Sequence, residues 1–274
     1  LNIQYFLGVD GISTLLIILN TIIFFIVSIY NLNLKIDKRN QYYASFLIAN
    51  GLTIGVFSSL DAILFYIFFE ALLIPMFLII GIWGGANRIY ASIKFFIYTF
   101  FGSVLLLISF LYINSKISSF DINYLYDANF TLVEQEWLFI AMAIAFAIKI
   151  PMFPFHTWLP DAHVQAPTSG SVVLAAILLK VGAYGFIRYV LPVVPIGAMS
   201  LDIYFIILSL IAIAYVGLIA ITQNDMKKLI AYSSISHMGF VTLGFFIIFQ
   251  LFEKTSNVDD LIISLSGSLY QIIS

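Results

Sequence analysis

Three charged side chains lie in the middle of segments that are otherwise apolar. Glu70 lies within the run 61–80, Lys149 within 137–155 and Lys180 within 171–185. A charge near the centre of a bilayer costs about 3 kcal/mol or more, so it persists only with a partner or a function. One carboxylate and two ammonium groups in such positions predict a path for an ion.

Glu70 and Lys149 are predicted to reach similar depths in the membrane. Glu70 lies nine residues into its run and Lys149 about thirteen residues into a run of opposite direction, and a helix rises about 1.5 Å per residue. A carboxylate beside a movable ammonium lets each group change the pKa of the other, which is the elementary step of a proton relay. The alternative is a permanent salt bridge between two helices, a use for which desolvation makes buried pairs poorly suited.

Lys180 and His237 extend this relay hypothesis to the following helices. A desolvated lysine can lose its proton and histidine titrates near neutral pH. We therefore predict a lateral chain of Lys149, Lys180 and His237 that carries protons through bridging waters. For His237 the alternative is a packing role, because serines 233, 234 and 236 offer local hydrogen-bond partners.

Further polar residues surround a proline-rich stretch. His156 and His163 frame the segment 157–161, but their spacing is not a ligand pattern for a metal. A role in proton uptake or in a structural turn is favoured over a metal site. Lys94 and Arg88 are expected to extend to the inner interface, with participation of Lys94 in the relay as the alternative. His156 is a further relay candidate.

The composition indicates an integral membrane protein. Of 274 residues, 62% are hydrophobic and 9% charged, and the mean hydropathy is +1.06, far from the values of soluble domains. The sequence has no cysteine, which excludes disulfides, iron–sulfur clusters and thiolate metal sites within it. Any redox cofactor must belong to a partner. The net charge of -2 and the lack of a basic tract argue against nucleic acid as a partner.

The hydropathy pattern predicts an all-α polytopic bundle in a single transmembrane domain, residues 1–274, because open sheet edges cannot be satisfied in lipid. About eight complete helices and a partial ninth are expected, in what we interpret as part of a longer subunit. Prolines 151, 154, 160 and 167 predict a broken helix. Basic and acidic loops alternate, which sets the orientation. The predicted spans are about 11–31, 42–60, 61–83, 93–113, 136–156, 167–190, 200–222, 228–250 and one from near 260.

Several motifs resemble a known family. They are the segments 7–13 (LGVDGIS), 69–76 (FEALLIPM), 94–99 (KFFIYT), 149–163 (KIPMFPFHTWLPDAH), 166–170 (APTSG), 179–185 (LKVGAYG) and 225–239 (DMKKLIAYSSISHMG). Together they resemble the antiporter-like membrane subunits of NADH:quinone oxidoreductase, respiratory complex I, of the chain M or mitochondrial chain 4 type. The resemblance covers nearly the whole sequence.

This resemblance implies proton translocation driven by NADH oxidation and quinone reduction in partner subunits. Glu70 and Lys149 would be the charged pair of the pumping unit, Lys180 the bridging lysine, and His237 a continuation of the hydrophilic axis. It also implies an antiporter-like inverted repeat, with the first copy and the start of the second present. NADH, FMN, iron–sulfur clusters and ubiquinone would be bound by partner subunits, and no cofactor by this chain.

The expected partners are other membrane-arm subunits, including neighbouring antiporter-like subunits, membrane lipids, and a separate chain as one source of the remaining C-terminal helices. The mitochondrial inner membrane is the preferred location, with the bacterial plasma membrane as the alternative. The sequence also allows two rival functions. One is a subunit of a cation/proton antiporter driven by an ion gradient, and the other is a structural arm subunit in which buried charges hold helices together.

Overall fold

The computed structural model describes residues 3–32, 34–255 and 258–273. Within these ranges the chain is an all-α bundle, and its extended pairing is limited to two isolated bridges, Leu7–Ser59 and Asp61–Asp121. The predicted fold class is confirmed. The helices are α1 (Gly11–Leu32), α2 (Arg39–Ser58), α3 (Ala62–Ala71), α4 (Leu73–Trp83), α5 (Arg88–Ile117), α6 (Ile122–Tyr126), α7 (Leu132–Lys149), α8 (Trp158–Gln165), α9 (Thr168–Val193), α10 (Pro195–Ile221), α11 (Met226–Thr255) and α12 (Val258–Ile273).

Six helical segments of the described part are long and apolar enough to cross a membrane: α1, α3 with α4, α5, α9, α10 and α11. The more polar α2 and the pair α7 and α8 lie among them. The predicted number of spans, eight and a partial ninth, stays a prediction because length and composition alone single out only these six.

Prolines interrupt two of the helices near the charged residues. Pro75 has no N–H to offer the carbonyl of Ala71, and α3 gives way to α4 at Leu72. Pro151 and Pro154 separate α7 from α8. Two π-helical turns, at Leu174–Leu178 and Phe186–Val190, lie on either side of the stretch of α9 that contains Lys180. Such widened turns are common at functional sites.

Aromatic side chains pack α3, α7 and α9 together. The ring centroids of Phe65 and Tyr189 are 4.5 Å apart, and those of Phe69 and Phe146 are 5.9 Å apart. All four side chains are buried, which makes this contact a large contribution to the core. Because Phe69 precedes Glu70 and Phe146 lies one turn before Lys149, the aromatic cluster fixes the backbone from which both charges project.

The two ends of the bundle differ in charge. The end that carries the segments 34–39, 84–88 and 222–228 contains Lys35, Lys38, Arg39, Arg88, Lys227 and Lys228, and we call it the basic face. The opposite end carries Asp10 and Glu134, which are paired with Arg188 and Lys116 respectively. By the positive-inside rule, the basic face lies on the inner side of the membrane.

We expect Asp61→Ala to lower the free energy of unfolding by about 1–2 kcal/mol. Asp61 is buried, and its Oδ1 accepts hydrogen bonds from the N–H groups of Ile63 and Leu64, both at 3.0 Å, so it caps the start of α3. The measurement is the thermal unfolding of the purified protein in detergent. Asp61→Asn keeps the accepting oxygen and is the control. Equal losses in the two variants would contradict the capping role.

The contact of 2.5 Å between Asp10 and Arg188 is expected to make stability depend on pH. Burial raises the pKa of Asp10, but the Ser13 N–H and the Arg188 guanidinium outweigh it and hold that pKa below its usual range. Folding therefore favours the ionised form of Asp10, which adds to the stability of the folded protein. This added stability is complete above the unfolded pKa of about 4 and is lost as the pH falls through the folded pKa. Asp10→Asn is expected to lower the unfolding temperature at neutral pH, with a difference from the unchanged protein that narrows below about pH 4. A constant difference at all pH values would show that charge is not the cause.

Candidate functional site

Lys149 is the last residue of α7 and lies where the helix is broken. Its side chain is 1% exposed, and its Nζ has no hydrogen-bond partner in the described part of the chain. The ammonium lies 4.6 Å from the centroid of the Phe69 ring, a cation–π contact that offsets part of the cost of burial. Without a hydrogen bond, the buried ammonium is only partly compensated for its lost hydration.

The sequence after Lys149 satisfies most of the backbone groups that the break exposes. Pro151 has no N–H for the carbonyl of Ala147, and the N–H of Met152 donates to that carbonyl instead at 2.8 Å. The indole Nε1 of the buried Trp158 donates to the carbonyl of Ile148 at 2.9 Å. The proline and tryptophan of this motif thus stabilise a helix end at the depth of Lys149.

Glu70 lies at the end of α3, close to the α3–α4 break. Its Oε2 is buried without a hydrogen-bond partner in the described part. The polar groups that act on its carboxylate are Ser103 and Lys149, and Tyr66 is a further neighbour. Sequence reasoning missed Ser103 and Tyr66, since a serine and a tyrosine in apolar helices carry no distinctive signal.

Glu70 and Lys149 interact electrostatically but do not touch. Of the ion pairs within 4.0 Å in the described ranges, none joins them, although each charge acts on the other. The predicted pairing stays a prediction, because the two groups form no salt bridge in the described part of the chain. This geometry leaves room for a change in the separation of the two charges.

The helix that carries Lys180 lies directly against the break. A Cβ atom at Gly182 would lie 2.8 Å from Ile150 Cγ1 and 3.1 Å from Lys149 Cβ. Only a glycine lets the backbone of α9 approach so closely. Gly182, two residues after Lys180, is therefore the point at which the two lysine-bearing helices approach most closely in this contact.

Lys180 and His237 both contact α12. The Nζ of Lys180 donates to the backbone carbonyl of Ile272, and the amide of Gln271 lies 3.2 Å from His237 Nδ1. His237 itself is exposed on the surface of the chain. The predicted lateral chain stays a prediction, and α12 joins two of its members. Gln271 was missed by sequence reasoning, although a glutamine in an apolar run is a usable signal.

A cavity of about 440 Å³ links Lys180 with the basic face. Its lining includes Lys180, His163, Ser171 and Lys227. The Nζ of Lys227, at the start of α11, donates to the carbonyl of Ala166 at 2.7 Å. The Nε2 of His163 is buried without a partner in the described part. These polar groups lie along the cavity between the inner surface and Lys180, and the rest of its lining is mostly apolar.

Lys94 forms an ion pair with Asp161 at 2.6 Å. Its side chain is partly buried, so it is held by α8 and does not extend freely to the interface as expected. Lys94 also acts electrostatically on His156, whose Nδ1 is buried without a partner in the part of the chain that is described and whose ring stacks on Phe153. The pair gives Asp161, in the first turn of α8, a counter-charge from α5.

Comparisons with known proteins identify the family of the chain. Residues 59–262 match the family model for NADH:quinone oxidoreductase/Mrp antiporter transmembrane proteins. The chain is 50% identical to NADH-quinone oxidoreductase subunit M of Rickettsia conorii, over 100% of this chain and 54% of that protein. It is 46% identical to NADH-ubiquinone oxidoreductase chain 4 of Chondrus crispus, over 89% of this chain and 50% of that protein. The chain thus spans about half the length of the curated relatives it matches.

Solved structures show the same architecture. A chain of respiratory complex I from Thermus thermophilus superposes with a TM-score of 0.80 at 30% identity, over 97% of this chain and 56% of that one. A chain of the Mrp complex from Dietzia superposes with a TM-score of 0.81 at 20% identity, over 96% of this chain and 28% of that one. The second likeness shows the fold alone.

Proposed function

The chain belongs to the NADH:quinone oxidoreductase/Mrp antiporter transmembrane family, and from that membership we propose that it is a proton-translocating membrane-arm subunit of an NADH:quinone oxidoreductase. The observation that carries the proposal is the buried ammonium of Lys149, which has no hydrogen bond in the described part and lies at a helix break within electrostatic reach of Glu70. A structural ion pair would instead hold its charges in contact, because contact is what offsets desolvation.

In the proposed mechanism the charge on Glu70 controls the proton on Lys149. When the two charges approach, the ammonium is favoured, and when they separate, the desolvated lysine gives up its proton. Lys180 would receive it across the close approach at Gly182 or exchange protons with the inner surface through the 440 Å³ cavity. His237 and Gln271 would continue the path along α12, with Lys94 and His156 beside the broken helix.

The driving reaction is assigned to partner subunits. NADH oxidation, FMN, iron–sulfur clusters and ubiquinone reduction would all belong to them, and neighbouring antiporter-like subunits would flank this one in the membrane. The proposed location is the mitochondrial inner membrane, with a bacterial plasma membrane as the alternative, since relatives of both kinds match. A cation/proton antiporter subunit is the rival function. The 50% identity to a subunit named for NADH-quinone oxidoreductase favours the oxidoreductase subunit over this rival.

The test is native-gel electrophoresis of gently solubilised membranes, with detection of this chain and staining for NADH dehydrogenase activity in the same lanes. We expect the chain to migrate with a very large band that has the activity. Migration as a smaller species without that activity would contradict the proposal and favour the antiporter. Sodium/proton exchange in vesicles would then be the assay.

A further inference from the structure

A second cavity, of about 730 Å³, opens on the basic face. It lies where the loop between α1 and α2, the end of α4, the start of α5, the segment after α8 and the start of α11 come together. The proposed relay does not use it. Its position at the ends of membrane helices places it at the depth of lipid headgroups.

The charge of this cavity is strongly positive. Lys35, Lys38, Arg88 and Lys227 line it, and Asp37 is the one acidic side chain in its lining. Among the described residues, Lys35, Lys38 and Arg88 form no ion pair within 4.0 Å. Four cations with one carboxylate among them repel one another, so the site favours an anion that compensates them.

The walls suit a ligand with a polar head and apolar tails. Trp83 Nε1 donates to the carbonyl of Asp37 at 2.8 Å, which ties the α1–α2 loop to the end of α4. Tyr30 and Ile82 line the cavity and are 47% and 37% exposed. The cavity therefore borders the exposed apolar surfaces of α1 and α4, where acyl chains can lie against the bundle.

We propose that this cavity binds the phosphodiester headgroup of an anionic glycerophospholipid. Arg88 and the two loop lysines hold the phosphate oxygens, and the acyl chains leave past Tyr30 and Ile82. Free phosphate offers the same charge but lacks the tails, so the bordering apolar surface favours the lipid. Lys227 also lines the cavity that reaches Lys180, which places a bound headgroup beside the proposed proton route.

The test uses the intact complex that contains this chain, in mild detergent, and phosphatidylglycerol with a photoreactive group in one acyl chain. Labelled peptides are mapped, and labelling is competed with unlabelled phosphatidylglycerol, phosphatidylcholine or inorganic phosphate. A variant with Lys35→Gln, Lys38→Gln and Arg88→Gln tests the charges. Two single variants form a matched pair. Arg88→Gln removes a cation that lines the cavity, and Lys228→Gln removes a cation of the same face outside the cavity.

We expect the label on the segments around Tyr30 and Ile82, with competition by phosphatidylglycerol only. Each lining cation contributes about fivefold to affinity, so Arg88→Gln should weaken binding about fivefold, the triple variant about 100-fold, and Lys228→Gln little. The site would be overturned if phosphatidylcholine or phosphate competed equally well, or if the label lay elsewhere. Unchanged binding by the triple variant would also overturn it. The competition series needs no variant, so it decides even if the triple variant does not assemble.

Discussion

Lys149→Ala is expected to lower NADH-driven proton pumping at least tenfold and to depress the coupled reduction of quinone. The side chain is buried at the end of α7, and in the described part the carboxylate that acts on it is Glu70. Without the ammonium, no group at this position can carry the proton, and a loss of one relay group typically costs two or more orders of magnitude in a proton-transfer step. Pumping is measured as acidification of inverted membrane vesicles by a quenched dye.

Assembly should survive this substitution. Lys149 and Glu70 form no salt bridge within 4.0 Å in the described part of the chain, so the substitution breaks no contact between charges, and Glu70 can neutralise its own charge by binding a proton. Lys116→Ala removes an exposed lysine paired with Glu134 at the opposite end from the basic face, and it is expected to pump normally. An assembled Lys149→Ala variant that pumps as well as Lys116→Ala would eliminate the relay.

Lys149→Arg separates charge from proton transfer. Arginine keeps the positive charge but is not deprotonated in proteins. If Lys149 acts by releasing a proton, the arginine variant should pump as poorly as the alanine variant. Recovery of pumping with arginine would instead assign Lys149 a purely electrostatic role.

Sequence reasoning located the helices and their breaks well, for a physical reason. Apolar runs of about 20 residues and prolines within them act locally, so their effects can be placed on the chain without knowledge of its neighbours. The prolines at 151 and 154 predicted an interruption in this region, but the predicted span ran to about 156, whereas α7 ends at Lys149. The similar depth of Glu70 and Lys149, inferred from residue counts, stays a prediction.

Lateral relations were beyond that reasoning. A residue count gives the depth of a side chain but not the direction in which it leaves its helix, so the gap between Glu70 and Lys149 could not be foreseen. Nor could the partner of Lys94, because Asp161 lies 67 residues away in the sequence. The hydrogen bond from Lys180 to α12 depends on how α12 packs against α9. The sequence alone does not give that packing. The roles of all these residues remain predictions.

Gly182→Ala is expected to reduce pumping several-fold and to lower the free energy of unfolding by about 1–3 kcal/mol. The added Cβ would lie 3.0 Å from the backbone nitrogen of Ile150 and 3.1 Å from Lys149 Cβ. The backbone at a helix break cannot yield as a flexible side chain does, so α9 must move away from Lys149. Thermal unfolding in detergent and vesicle acidification measure the two effects.

Gly51→Ala is the matched control for this substitution. Gly51 lies within α2, and a Cβ there would meet nothing within 4 Å, so the change is expected to be neutral or slightly stabilising. If Gly182→Ala matched Gly51→Ala in both measurements, the close approach would have no functional weight. A variant that is destabilised yet pumps normally would mean that the contact serves packing alone. If Gly182→Ala loses pumping while both lysines are still present, the cause is the changed distance between Lys149 and Lys180.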